Sequence, residues 1–169
     1  MDATTGLMSR AAFAEKAATV FAGARAGGGL VSAVVVEVEH LKLINDEHGS
    51  ECGDAVLAHV AKLIGLNIQP KVDLAARTAG AEFVLLLPEA DDAWAGTFVE
   101  RLRGTLANRP IQYNSEYITV TASIGTAALT TVDSDVEALV RRARKAVEAG
   151  RETARTEPAV RPAQLPLAA

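Results

Sequence analysis

The apolar residues of this chain form strand-like runs that are separated by helical stripes. A nearly continuous aliphatic run covers residues 30–38, which predicts a strand buried on both faces, as in the centre of a sheet. Two shorter apolar runs cover residues 74–77 and 82–87. The segment between them contains Gly80, which favours a hairpin turn. Further strands are predicted over residues 111–113 and 117–127.

Apolar residues at three- and four-residue spacing predict the helices between these strands. The first predicted helix begins near Ser9, the second covers residues 41–47, and the third begins at Gly53 and Asp54. The fourth covers residues 91–106, with Trp94 in its buried stripe, and the fifth covers residues 135–155. This order of elements predicts an α/β (α+β) fold with a mixed central β-sheet covered by helices.

Composition and charge narrow the class of protein. The chain has 169 residues and a formal net charge of -4, which argues against a general nucleic-acid or membrane binder. Its single cysteine, Cys52, excludes an internal disulfide framework and favours a reducing, cytoplasmic location. There is no signal peptide and no long apolar span. We therefore predict one domain over residues 1–156 and a Pro/Ala-rich tail or linker over residues 157–169.

Three stretches carry a resemblance to a known family. Residues 2–13 read DATTGLMSRAAF, residues 34–54 read VVVEVEHLKLINDEHGSECGD, and residues 78–83 read TAGAEF. Together they resemble a degenerate GGDEF domain, the catalytic domain of diguanylate cyclases. The resemblance covers roughly residues 2–156 and implies a ferredoxin-like, palm-type core like that of class III nucleotide cyclases. Since Met1 directly precedes the first motif, we expect a domain excised from a multidomain signalling protein, such as one that combines GGDEF and EAL domains.

Catalysis in this family depends on carboxylates that hold divalent metal, which activates a 3′-hydroxyl and neutralises a triphosphate. The resemblance implies one ligand at Glu37 and a second, directly across from it, at the third position of the hairpin motif. That motif is here Ala79, Gly80, Ala81, Glu82 and Phe83. Ala81 removes the second carboxylate, and Glu37 is one methylene longer than the family's Asp. The resemblance therefore implies no catalytic residue and no metal site, with Glu37 as a vestigial candidate or an ordinary solvated carboxylate.

The residues that would hold a nucleotide are better preserved. Asn45 and Asp54 match the family's guanine-binding Asn and Asp, and an amide and a carboxylate complement the edge of guanine. Lys42 matches a lysine near the triphosphate. Arg151 matches the arginine of a phosphate clasp, although Val147 stands where the clasp has its lysine. The alternatives are a turn Asn, an N-cap Asp and a solvated helix face.

The family's inhibitory product site is an Arg-x-x-Asp sequence shortly before the hairpin. Pro70 occupies the arginine position and Asp73 the aspartate position. Proline lacks the planar fork with which arginine binds phosphate. The resemblance therefore implies no inhibitory site in this chain and no binding of cyclic di-GMP through it.

These residues lead to one hypothesis and two alternatives. The resemblance implies a catalytically inactive regulatory domain of bacterial cyclic di-GMP signalling that retains GTP, with or without magnesium, and regulates an adjacent EAL-type domain or another protein partner. The first alternative is a scaffold for protein interaction or dimerisation that binds no nucleotide, and the second is an active cyclase with a rearranged metal site. Asn45 and Asp54 favour the regulatory domain over the scaffold, Val147 weakens that preference, and Ala81 argues against the cyclase.

Overall fold

The computed structural model describes the backbone of residues 1–156 and the side chains as far as Arg151. The predicted tail over residues 157–169 lies outside the described residues. The helices are Arg10–Ala26 (α1), Leu41–His48 (α2), Ser50–Asn67 (α3), Asp92–Asn108 (α4) and Val136–Thr156 (α5). The strands are Val31–Val38 (β1), Leu74–Ala79 (β2), Glu82–Pro88 (β3), Ile111–Tyr113 (β4), Glu116–Ile118 (β5) and Ala122–Ala128 (β6).

The main sheet has the order β2-β3-β1-β6, and β4 pairs with β5 in a separate ribbon. This order confirms the ferredoxin-like core. The expectation of a mixed sheet is wrong, because each neighbouring pair of strands in the main sheet is antiparallel. The strands β1 and β2 do run in the same direction, but β3 lies between them. The connection through α2 and α3 therefore spans one strand and leaves no parallel neighbours in this sheet.

The predicted burial of β1 on both faces is confirmed. Val34 and Val36 pack on one face of the sheet with apolar residues of α3 and α4. Val35 packs on the other face with apolar residues of α1 and α5. The side chains of a strand alternate between the two faces, so the helix pair that a strand residue meets follows from its position.

The structure differs from the predicted elements in the start of one helix, the exposure of one side chain and the extent of one strand. The helix α3 begins at Ser50, directly after Gly49 with its φ of 92°, and not at Gly53 and Asp54. Trp94 is 41% exposed, because its ring stacks on the outer side of Phe98 with ring centroids 5.9 Å apart. The strand predicted over residues 117–127 is divided, because its first part pairs with β4 and its second part pairs with β1.

Candidate functional site

Two carboxylates lie side by side at one end of the sheet. Glu37, near the end of β1, and Glu82, at the start of β3, are cross-strand partners. Strand alternation directs both side chains to the face covered by α1 and α5, because Phe83 and Val36 point to the other face. The expectation that the residue directly across from Glu37 is Ala81 is therefore wrong by one residue. Ala81 lies beside Val38 instead and accepts a hydrogen bond from the Val38 amide at 3.0 Å.

Arg151 joins two carboxylates at the end of β1. Its Nη2 lies 2.9 Å from Oε2 of Glu37, and its Nε donates to Oε1 of Glu39 at 2.6 Å. Burial by itself lowers the pKa of the Arg151 guanidinium, but the hydrogen bonds and charges of the two glutamates outweigh this effect, and the pKa is raised. The arginine that was predicted to contact phosphate is therefore occupied by carboxylates in this structure.

Arg144 holds the neighbouring carboxylate. Its Nε and Nη2 donate to the two oxygens of Glu82 at 2.8 and 3.0 Å, and Thr78 donates its hydroxyl to the same carboxylate at 2.7 Å. The bidentate hydrogen bond from Arg144 is the main reason that the pKa of Glu82 is lowered. Arg144 was not predicted from the sequence as a site residue. The available signal was its seven-residue distance from Arg151, which places both residues on one face of α5.

The remaining hairpin residues are placed as a tight turn. Gly80 has a φ of 34°, and its carbonyl accepts a hydrogen bond from Nε of Arg77 at 2.8 Å. Ala79 is exposed at the end of β2, and Phe83 is fully buried in the core. The predicted hairpin with a glycine turn is confirmed.

The residues at this end of the sheet do not fit a magnesium ion. Magnesium requires compact octahedral coordination by oxygen. The Ala81 methyl packs against the core and offers no oxygen, while the carboxylates of Glu37, Glu39 and Glu82 are bound by arginines. Among the residues that the structure describes, no group of three or more His, Cys, Asp or Glu side chains is placed to hold a metal.

Asn45 is held tightly between α2 and α3. Its Oδ1 is buried without a hydrogen-bond partner, and it packs so closely on Gly53 that a Cβ at position 53 would collide with the amide. An unpaired buried amide oxygen is costly unless a donor reaches it. Only glycine at position 53 leaves room for this side chain. This role of Gly53 could not be predicted from the sequence, because the contact joins two different helices.

Asp54 directly follows Gly53 and is exposed in α3. The N-cap alternative for Asp54 is wrong, since the cap of α3 is Gly49. Asn45 lies inside α2, so the turn alternative is wrong as well. Lys42 is exposed on the same helix three residues before Asn45, a spacing that puts both on one face. Lys42 and Asn45 therefore share a face of α2, whereas Arg151 lies at the end of β1.

Val147 lies in the core of the α5 face and is 1% exposed. A Cβ at Gly125 of β6 would come within 2.5 Å of the Val147 amide nitrogen, so helix and strand are in direct backbone contact there. The Val147 side chain therefore packs in the core and supplies no charge, and the interpretation of Val147 as the lost half of a phosphate clasp stays a prediction.

Asp73 serves its own loop. It is buried, its Oδ2 accepts from the Gln69 amide at 2.7 Å, and its own amide donates to the Gln69 carbonyl at 2.8 Å. Burial raises the pKa of the Asp73 carboxyl, and the Gln69 hydrogen bond partly offsets this effect. Pro70 belongs to the same turn. These contacts explain Asp73 as a residue that closes the loop before β2.

A family model and several solved structures match this chain. The family model described as "Diguanylate cyclase, GGDEF domain" matches residues 1–157. The response regulator PleD of Caulobacter vibrioides is 33% identical over 148 residues, which cover 86% of this chain and 32% of that protein. Diguanylate cyclase DgcP of Pseudomonas aeruginosa is 35% identical over 127 residues, which cover 75% of this chain and 19% of that protein. The chain thus spans about a third or less of the length of these relatives.

Solved structures agree with the fold. The GGDEF domain of DgcB from Caulobacter crescentus, in complex with c-di-GMP, superimposes with a TM-score of 0.84 at 29% identity and covers 90% of both chains. Diguanylate cyclase SiaD of Pseudomonas aeruginosa, in complex with its activator SiaC, gives a TM-score of 0.84 at 28% identity and covers 90% of this chain and 58% of that chain. Among the described residues, no helix is long and apolar enough to cross a membrane.

Proposed function

We propose that this chain, which belongs to the GGDEF domain family of diguanylate cyclases, is a regulatory domain. It binds a guanine nucleotide and does not cyclise it. The observation that carries this proposal is the charge arrangement at the end of the sheet. Position 81 holds a methyl group, and the nearby carboxylates Glu37 and Glu82 are each bound by an arginine. Cyclic di-GMP signalling is the setting that the family supplies.

Loss of cyclisation follows from the chemistry of the reaction. Joining two GTP molecules requires a 3′-hydroxyl that is made nucleophilic and a triphosphate whose negative charge is neutralised. Metal held by carboxylates supplies both effects. In this chain the arginines neutralise the carboxylates, and neither Ala81 nor its neighbours replace the missing oxygen ligand. An arginine can neutralise phosphate, but it does not lower the pKa of a hydroxyl as a bound metal ion does.

Retention of a guanine nucleotide is supported by Asn45, Asp54 and Lys42. The Asn45 side chain is held in one orientation by the packing of its amide on Gly53, and an amide can both donate to and accept from guanine. The Asp54 carboxylate is exposed in α3 and accepts hydrogen bonds, as the N1-H and N2-H groups of guanine require. Lys42 adds an exposed positive charge on the face of α2 that carries Asn45. We propose that these three residues of α2 and α3 bind guanine and phosphate together.

The output of the domain passes to another domain or protein. The curated relatives are about three times longer than the matched segment or more, so further domains accompany this segment in them. A structural relative, SiaD, is found in complex with an activator protein. We propose that the nucleotide-bound domain regulates an adjacent EAL-type domain or a protein partner in the cytoplasm.

A scaffold without nucleotide is the second candidate. It is favoured by the ion pairs of Arg151, because an arginine that is bound by Glu37 and Glu39 must leave them before it can bind phosphate. The scaffold predicts that neither GTP nor ATP binds.

Competition binding with a fluorescent guanine nucleotide tests the proposal. We expect GTP to compete and ATP to compete at least about tenfold more weakly, because adenine lacks the donors that Asp54 reads. Asp54→Asn should abolish the preference for GTP. Glu51→Gln is the matched control, since Glu51 is also an exposed carboxylate in the first turns of α3. Equal competition by GTP and ATP, or an unchanged preference in Asp54→Asn, would contradict the assignment of the guanine site.

A further inference from the structure

The Arg151 guanidinium lies between the carboxylates of Glu37 and Glu39 at the end of β1. We propose that its guanidinium replaces the divalent metal ion there, so that this domain binds no metal at Glu37 and Glu39 and holds its nucleotide without magnesium. The nucleotide part of this inference, that GTP binds without magnesium, rests on the proposed function. The metal part, that no metal binds at Glu37 and Glu39, concerns only these residues and Arg151 and does not depend on nucleotide binding.

The geometry gives one nitrogen of Arg151 to each carboxylate. The Nη2 atom lies 2.9 Å from Glu37 and the Nε atom 2.6 Å from Glu39, so one planar group bridges both acids. All three side chains are partly buried, with exposures of 24% for Arg151, 35% for Glu37 and 25% for Glu39. Partial burial weakens solvent screening, and the guanidinium is therefore a strong competitor for these oxygens.

The fold holds this guanidinium in place. The helix α5 contacts β6 directly at Gly125, where a Cβ would collide with the helix backbone at Ala143 and Val147. Val147, one turn before Arg151, is anchored in the core. A metal ion that bound Glu37 and Glu39 would have to displace a charge that is attached to a fixed helix. Glu82, the carboxylate across from Glu37, is already bound by Arg144, and the side chain at position 81 is a methyl group that offers no oxygen.

The arginine at the carboxylates also affects how the nucleotide is expected to bind. A magnesium ion normally joins protein carboxylates to phosphate oxygens. Here Arg151 already occupies both carboxylates, and the positive charge left for the phosphates comes from Lys42. We therefore expect the affinity for GTP to be the same in magnesium and in EDTA.

Manganese binding without nucleotide tests the metal part. Electron paramagnetic resonance measures free Mn²⁺ during titration of the wild type, Arg151→Ala and the control Arg141→Ala, in which an exposed arginine of the same helix is removed. We expect Arg151→Ala to bind Mn²⁺ roughly tenfold more tightly than the wild type and the control, because Glu37 and Glu39 lose their counter-charge. Adding Glu37→Gln to Arg151→Ala should remove the gain.

The remaining outcomes are equally decisive. Tight Mn²⁺ binding by the wild type that Glu37→Gln abolishes would overturn the inference, as would an unchanged affinity in Arg151→Ala. If Arg151→Ala does not fold, Arg151→Gln removes the charge while it keeps a planar hydrogen-bonding group, and it should show the same gain.

The nucleotide part is tested by titration with GTP in magnesium and in EDTA. Equal affinity supports the inference. Binding that requires magnesium would overturn it and leave the proposed function standing. Absence of binding in both buffers would overturn the proposed nucleotide function, whereas the manganese titration would still decide the role of Arg151.

Discussion

Glu37 and Glu82 are cross-strand neighbours on β1 and β3, yet their carboxylates are bound by two different arginines of one helix. Arg144 and Arg151 lie two turns apart on α5, so a single helix face supplies the counter-charges at the end of the sheet. In a site that works with metal, the carboxylates at this position must remain available to the ion. The arrangement therefore favours a regulatory domain and gives α5 the role of linking the hairpin to β1.

Gly53→Ala should disturb the Asn45 amide. The new methyl group would collide with Oδ1 and Cγ of Asn45. We expect a loss of about 1–3 kcal/mol in the free energy of unfolding, although alanine is intrinsically the better helix residue. Gly65→Ala, in the same helix, meets no neighbour within 4 Å and should be neutral or stabilising by up to about 1 kcal/mol. Urea denaturation of both variants measures the difference, and equal stabilities would contradict the close packing.

Arg142→Met should weaken the connection between β6 and α5. Arg142 donates to both oxygens of the buried Asp133 and to the Ala128 carbonyl. Removal of one partner leaves Asp133 charged and buried, which we expect to cost about 2 kcal/mol after allowing for the 36% exposure of Arg142. Arg141→Met, at an exposed position, should stay within about 0.5 kcal/mol of the wild type. Thermal denaturation compares the two, and similar effects would count against a structural role for Asp133.

The Glu82–Arg144 pair should make stability depend on pH in the acidic range. The bidentate bond from Arg144 lowers the pKa of Glu82 below its ordinary value of 4.5 in the folded protein. The pair therefore stabilises the fold fully above pH 4.5, and this contribution is lost as pH falls through the lowered pKa. We expect Glu82→Gln to cost about 1 kcal/mol at neutral pH, since Arg144 is 43% exposed, and progressively less in acid. A difference between the two proteins that does not change with pH would contradict this assignment.

Local patterns explain how much of the fold could be predicted. The buried run of β1, the Gly80 hairpin and the Ser9 start of α1 depend on nearby residues, and each was predicted. One of the predictions that were wrong depends on residues that are distant in the sequence. The break before β6 arises because the strand changes partner. Trp94, in contrast, is exposed because its ring stacks on the outer side of Phe98.

In the candidate site, too, local motifs identify residues, whereas contacts between distant residues could not be predicted. Candidate side chains such as Asn45 could be named from their motif, but their contacts could not. To predict the pairing of Arg144 with Glu82, one must know which face of α5 is turned toward β3. The two residues are 62 positions apart in the sequence. The fit of Asn45 on Gly53 requires the approach of two helices, and no local pattern records it.

Calorimetric titration of the domain with GTP, followed by chromatography of the cell contents, tests the central claim most directly. A guanine-binding surface without a metal site predicts saturable binding and no cyclic di-GMP after prolonged incubation with magnesium. Formation of cyclic di-GMP would contradict the account, because a domain with a methyl group at Ala81 and arginine-bound Glu37 and Glu82 would then be an active cyclase.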